Sequence, residues 1–362
     1  CSSVKSSPTG PTMVYTAGTT GRPKGAYRPQ GIDIEAVFSW IANLHLRNDD
    51  IHLLAGPGYH SAPAAFSGLQ QILGATLIVM HRFDPLRAIE LIERHGVTTT
   101  FMAPILVRRI LDLPAELRSR HDVSSMRVLI VAAAPFPGDL KRRAVDYFGD
   151  SVYEFYGASE TGLVTLIGPD ELLAHPDSCG KVLPQVEIRL LDDAGNEVSD
   201  GEPGELWARS NGIVTEYYNN PEATRRSLSE DGFFTVGDIA FRDSEGYVHI
   251  CDRKVDMVIS GGVNIYPAEI EAVLAEHPDI EDVAVIGIPD LEWGERVLAV
   301  VKRRDGASVG ASELSAYARE RLADYKCPRD YEFVEDFPRY QAGKLVKRVL
   351  REPYWAGAWR RV

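Results

Sequence analysis

Between Thr76 and Gly157, apolar runs of strand length alternate with amphipathic runs of helix length, and no other feature narrows the possible folds as much. TLIVM at 76–80 leads into a segment that opens on Asp84-Pro85 and stops at Gly96, and VTTTFMAP at 97–104 follows. Asp84 suits an N-cap, Pro85 the first helical turn, and Gly96 the left-handed residue beyond a helix end. RVLIVAAAP at 127–135 and SVYEFYG at 151–157 continue the pattern around a helix predicted from Pro137 to Phe148. Strands that alternate with helices predict a parallel sheet covered on both faces.

After Cys179 the texture changes to short alternating strands separated by turn residues: VEIRLLD, DAGN at 193–196, GELWARS at 204–210 and DSEG at 243–246. This pattern predicts an antiparallel β subdomain over 180–252. From about Lys254 a third texture predicts a helix at 267–276, strands near 282–288 and 296–303, a helix at 312–324, a strand at 330–335 and a basic helix from Lys344. The expected fold class is therefore α/β, with parallel sheets flanked by helices, an antiparallel β subdomain and a small C-terminal α+β domain. The expected division is a large domain over 1–252 and a small mobile domain over 253–362.

Charge and composition exclude several classes. Lys and Arg number 39 against 52 Asp and Glu, a net charge of −13, so a basic nucleic-acid surface would work against the overall field. Apolar stretches such as VLIVAAAPF at 128–136 fall short of the ~18 to 20 residues of a spanning helix, so no membrane span is expected. Cys1, Cys179, Cys251 and Cys327 form no CxxC pair, which points away from zinc sites and disulfide frameworks and toward a reducing, cytoplasmic compartment. The first residues, CSSVKSSPTGPT, read as a polar linker without a signal core.

The most informative chemistry lies in YTAGTTGRPKG at 15–25, where an apolar strand enters a loop of Gly, Thr and one Lys. Glycines let backbone N–H groups approach phosphate oxygens, threonine hydroxyls donate further hydrogen bonds, and Lys24 adds a charge. The loop suits polyphosphate, yet Gly25 after Lys24 departs from the P-loop NTPase pattern. YGASETG at 156–162, GD at 237–238, DRKVDMVISGGVNIYPAEIE at 252–271 and PRYQAGKLVKR at 338–348 follow. With these five motifs in order, the chain resembles the adenylate-forming superfamily of acyl-CoA synthetases, nonribosomal adenylation domains and firefly luciferase.

The resemblance implies roles residue by residue. Thr16, Gly18, Thr19, Thr20, Gly21 and Lys24 hold the ATP phosphates, Ala133 and Gly157 line the adenine side, and Tyr156 lays its ring on adenine. Thr161 donates to the α-phosphate, and Asp238 and Arg253 bind the ribose. Glu160 supplies the carboxylate for Mg²⁺, which reaches nucleotides through one or two carboxylates. Lys344 reaches the substrate carboxylate and the α-phosphate, and His60 stands between the acyl pocket and the phosphate. Ser260, Gly261 and Gly262 line the CoA pantetheine tunnel, and Lys254 and Val255 form the hinge. Tyr59, Ser61, Phe66, Phe136 and Leu163 are candidates for a mostly apolar acyl pocket.

Several positions depart from the family pattern: Ala17 for serine, Val236 for threonine, Ala132 for glycine, Asp252 for glycine and Val255 for a polar hinge residue. Only 14 residues precede Tyr15, so the expectation is a chain lacking part of the large domain. The expected function is an ATP-dependent acyl-CoA synthetase acting on a fatty or aromatic carboxylic acid with ATP, Mg²⁺ and CoA. Two other readings stay open, an adenylation domain loading a phosphopantetheinyl carrier protein and a non-catalytic nucleotide-binding fragment. A homodimer is left open as well.

Overall fold

The computed structural model describes residues 10–16, 23–29, 31, 33–339 and 345–356. The chain divides into two compact units, residues 1–250 and 251–362. Among the described residues no helix is long and apolar enough to cross a membrane.

The first unit is organised by a seven-stranded sheet. Its spatial order is Thr76–Val79, Ile51–Leu54, Thr99–Met102, Val128–Val131, Val152–Ala158, Gly162–Ile167 and Lys181–Val182. The first five strands run parallel, as the alternating pattern predicts, and the last two are antiparallel. The helix Pro85–His95 shows why the prediction holds locally. Asp84 accepts a hydrogen bond from the Arg87 amide at 2.8 Å, and Gly96 ends the helix with φ 61°. Val128 and Ile130 enter the core on one face of the sheet, while Leu129 and Val131 enter the core on the other. Each such side chain stabilises the fold by about 1.5–3 kcal/mol relative to exposure.

Two antiparallel sheets complete the region. One runs Glu187–Leu191, Gly204–Arg209, Phe234–Arg242 and Val248–Arg253, the last strand crossing the division between the units. The other joins Thr12–Thr16 to Lys24–Arg28, and Lys24–Arg28 to the short strand Glu216–Tyr217.

The second unit is built on a long hairpin, Ile280–Asp290 with Gly294–Arg303, so the strands extend beyond the predicted limits. Val283 and Val285 face one core, whereas Ala284, Ile286 and Ile288 face another that the final helix covers with Leu350 and Tyr354. The helix expected at 312–324 ends at Arg319, because Ala323 takes an extended conformation that starts the 3₁₀ turn Asp324–Lys326. The last helix runs Lys347–Trp355.

Candidate active site

The site of the first unit grows from the strand Val152–Ala158 and the turn that follows it. Gly157 is obligatory, since a Cβ there would lie 2.1 Å from the Gly162 carbonyl oxygen. The Tyr156 hydroxyl donates to Asp238 Oδ2 at 2.8 Å, so the two residues expected at adenine and ribose sit together although they lie on different sheets. Asp238 is buried and follows Gly237, whose φ of 80° turns the strand at that point. Thr161 is buried as well, and its hydroxyl accepts from the Ala158 amide at 3.1 Å, which closes the turn. Ala133 lies beyond the C-terminal end of Val128–Val131 with φ 76°, a left-handed conformation rare for a residue with a side chain. Such conformations cluster at functional sites.

Glu160 is buried in the same turn, and its Oε1 accepts a hydrogen bond from the Tyr217 hydroxyl at 3.0 Å. Lys24 Nζ stands 4.8 Å from the centre of that tyrosine ring. Arg28, on the strand after the Gly/Thr loop, donates through Nη2 to the Ser159 carbonyl at 2.7 Å and to the Glu160 carbonyl at 3.3 Å, and through Nε to the Gly212 carbonyl at 2.7 Å. Burial lowers the Arg28 pKa and the Glu160 charge opposes that shift. Thr16 pairs with Lys24 across the hairpin. Gly18, Thr19, Thr20 and Gly21 lie outside the described residues, as do Ala17 and Lys344.

His60 is the N-cap residue of the helix Ser61–Leu73 and makes no side-chain cap. Among the described residues its Nε2 is buried without a hydrogen-bond partner, and burial lowers its pKa, which favours the neutral ring. A hydrogen bond of 2.7 Å from Ser159 Oγ to Ser61 Oγ ties the start of that helix to the Glu160 turn. Phe66 and Leu163 belong to the core on one face of the main sheet and Phe136 to the core on the other. Tyr59 is exposed.

In the second unit Gly261 and Gly262 adopt φ of 59° and 82° in a tight turn, and a Cβ on Gly261 would lie 2.6 Å from Trp293 Cε3. Ser260 ends the strand before this turn. Arg253 and Val255 bracket Lys254 in another turn, where the Arg253 carbonyl accepts from the Asp256 amide at 2.9 Å and the Met257 amide at 3.0 Å.

Among the described residues no three His, Cys, Asp or Glu side chains are placed to hold a metal ion. The buried Glu160 carboxylate, whose partner Tyr217 also faces Lys24, suits Mg²⁺, which keeps waters and phosphate oxygens and takes only one or two carboxylates.

The model of the AMP-binding enzyme family matches residues 7–218, and that of the AMP-binding enzyme C-terminal domain matches 269–344. The chain belongs to the AMP-binding enzyme family. Feruloyl-CoA synthase of an Amycolatopsis species is 37% identical over 94% of this chain and 69% of its own length. 2-Succinylbenzoate–CoA ligase of Geobacillus kaustophilus is 35% identical over 94% of this chain and 68% of its own. The chain thus spans about two thirds of these relatives. Among solved structures, ATP-bound MatB from Rhodopseudomonas palustris superposes with a TM-score of 0.87 at 33% identity, over 95% of this chain and 68% of that one. The amide bond synthetase McbA from Marinactinospora thermotolerans gives 0.85 at 30% identity, over 94% and 69%.

For this AMP-binding enzyme, one departure from the family pattern gains a structural reason. Asp252 is buried and accepts from the Arg253 amide at 2.7 Å and, across the unit, from the Ala268 amide at 2.8 Å. It thereby satisfies an orphan donor in the first turn of the helix Pro267–Ala275, work that a glycine could not do. Sequence reasoning missed Tyr217 and Arg28. The signal for Arg28 was a charge closing the strand KGAYR, and for Tyr217 an aromatic residue beside the helix signature NNPEAT.

Proposed function

We propose that this chain carries the adenylating centre of an AMP-forming acyl-CoA synthetase. The observation that carries the proposal is the convergence around one turn of the Tyr156–Asp238 pair and the buried Glu160 carboxylate, whose donor Tyr217 also presents its ring to Lys24. Tyr156 and Asp238 hold adenosine, the ring by stacking and the carboxylate by accepting from ribose hydroxyls. Thr161 and Lys24 face the phosphates. A carboxylate oxygen of the acid attacks the α-phosphorus as the bond to the pyrophosphate oxygen breaks, a step governed by positioning and charge neutralisation. Glu160 would hold Mg²⁺, which would supply charge neutralisation for the leaving pyrophosphate.

In the second step the CoA thiol, losing its proton, attacks the acyl carbon and AMP leaves. His60, neutral and at the helix start, borders the acyl group without adding charge to it. Lys344 serves the first step and the Ser260–Gly262 turn the second. The relatives named for feruloyl-CoA and 2-succinylbenzoate support an aromatic acid. Cys179, Cys251 and Cys327 are free thiols, in keeping with a cytoplasmic setting.

The test is a panel of carboxylic acids scored for acid-dependent AMP release with and without CoA. The expected result is acid-dependent ATP–pyrophosphate exchange, with CoA needed for steady AMP release. Steady release driven by an amine or a carrier protein, with CoA inert, would move the acceptor elsewhere. No exchange with any acid overturns the adenylating reading.

A further inference from the structure

We propose that Tyr217 is a positioning residue that sets the Glu160 carboxylate and the Lys24 ammonium relative to each other. Glu160 is 6% exposed, and among the described residues the Tyr217 hydroxyl is the donor to its carboxylate, at 3.0 Å. The face of the same ring lies 4.8 Å from Lys24 Nζ, within the range of a cation–π contact. One side chain therefore touches both charged groups, its hydroxyl the anion and its π face the cation.

The scaffold around the ring is fixed on several sides. Tyr217 is 5% exposed, and its backbone pairs with Ala26 on the strand that carries Lys24. Its amide accepts no freedom either, donating to Thr224 Oγ1 at 3.0 Å, and Phe234 packs edge-on with ring centres 5.5 Å apart. The Glu160 backbone is held separately, its carbonyl accepting from the Val214 amide at 2.9 Å and from Arg28 at 3.3 Å. With main chain and ring both anchored, the hydroxyl decides where the carboxylate points. Without it a buried carboxylate loses its donor and turns toward water or toward Lys24. Pairing with Lys24 would cancel both charges that the nucleotide needs.

This inference rests on the reading of Glu160 and Lys24 as groups for the magnesium–nucleotide complex. The test measures binding without turnover, in the intact protein, by titrating ATP calorimetrically at several Mg²⁺ concentrations and AMP without metal. Tyr217→Phe removes the hydroxyl and keeps the ring. Its expected effect is an increase of about tenfold in the Mg²⁺ concentration that half-restores ATP affinity, equivalent to ~1.4 kcal/mol, with metal-free AMP affinity unchanged. Tyr217→Leu, checked for folding by circular dichroism, is expected to weaken metal-free ATP binding as well, because Lys24 loses its support. A Tyr217→Phe protein with the wild-type Mg²⁺ profile overturns the proposal. Glu160→Gln separates the two ideas: if it too keeps the wild-type profile, the assignment of Glu160 itself fails. If Glu160→Gln loses the Mg²⁺ response while Tyr217→Phe keeps it, only the positioning role fails.

Discussion

Two residues before Tyr156 on the same strand, Glu154 is buried and its Oε2 lies 2.6 Å from Lys141 Nζ, which also donates to the Ser178 carbonyl at 2.8 Å. Burial pushes the Glu154 pKa up to about 7, against the pull of Lys141. A carboxyl raised in the folded state contributes stability that is complete below its unfolded pKa and is lost as pH rises through the folded value. Lys141→Met is therefore expected to cost little at pH 5, where Glu154 is protonated, and about 3–5 kcal/mol at pH 8, where Glu154 without its partner must take up a proton or keep a buried charge. Urea denaturation at both pH values measures this. Adding Glu154→Leu should recover most of the loss, because replacing a whole buried pair by apolar groups is often neutral. A pH-independent cost would mean that Lys141 acts through the Ser178 carbonyl instead.

At the scale of elements, the turn Arg253–Asp256 connects the strand Val248–Arg253 to the strand Val258–Ser260 and is fastened from the final helix. Arg351 donates to the Val255 carbonyl at 2.5 Å and pairs with Asp256 at 3.0 Å, and Lys347 pairs with Glu271 at 2.8 Å. If this turn is the hinge, its second position, Lys254, is the place to lock it, since proline at that position presets the turn and the extended residue before it tolerates proline. Proline at Val255, the third position, would instead push Lys254 out of the turn conformation. Lys254→Pro is expected to slow one half-reaction by about tenfold or more and spare the other, as a conformational gate would. Pyrophosphate exchange and thioester formation from supplied acyl-adenylate, each measured after circular dichroism, read the two separately. Equal losses, or none, would place the pivot elsewhere.

For the whole molecule, the residues to which the family resemblance gives roles are divided along the chain, with Lys24, Tyr156, Glu160 and Asp238 before the division at residue 250 and Arg253, Ser260 and Lys344 after it. A lysine that acts only on the attacking carboxylate and α-phosphate belongs to the first step alone. Lys344→Ala is expected to lower pyrophosphate exchange by about a hundredfold or more, the scale of a lost charge-stabilising donor, while thioester formation from supplied acyl-adenylate stays near wild type. Equal losses in both steps would contradict a division of labour between two conformations.

The sequence by itself determined what depends on near neighbours. Asp84, Pro85 and Gly96 act within one helix, and continuous apolar runs such as Val128–Val131 announce strands buried on both faces. The order of the five motifs was equally legible, and with it the family. Tertiary structure alone decided what depends on residues far apart in the chain. Only the tertiary fold puts Tyr217 beside Ala26, Arg28 against the Gly212 carbonyl 184 residues away, and Tyr156 on Asp238 across 82 residues. It also sends Phe136 and Phe66 to opposite faces of one sheet, although both read as apolar pocket candidates. Local signals fix which element a segment forms because the interactions lie within a few residues. Which side chains then meet is set by strand order and by the face of burial, and no short stretch of sequence records either.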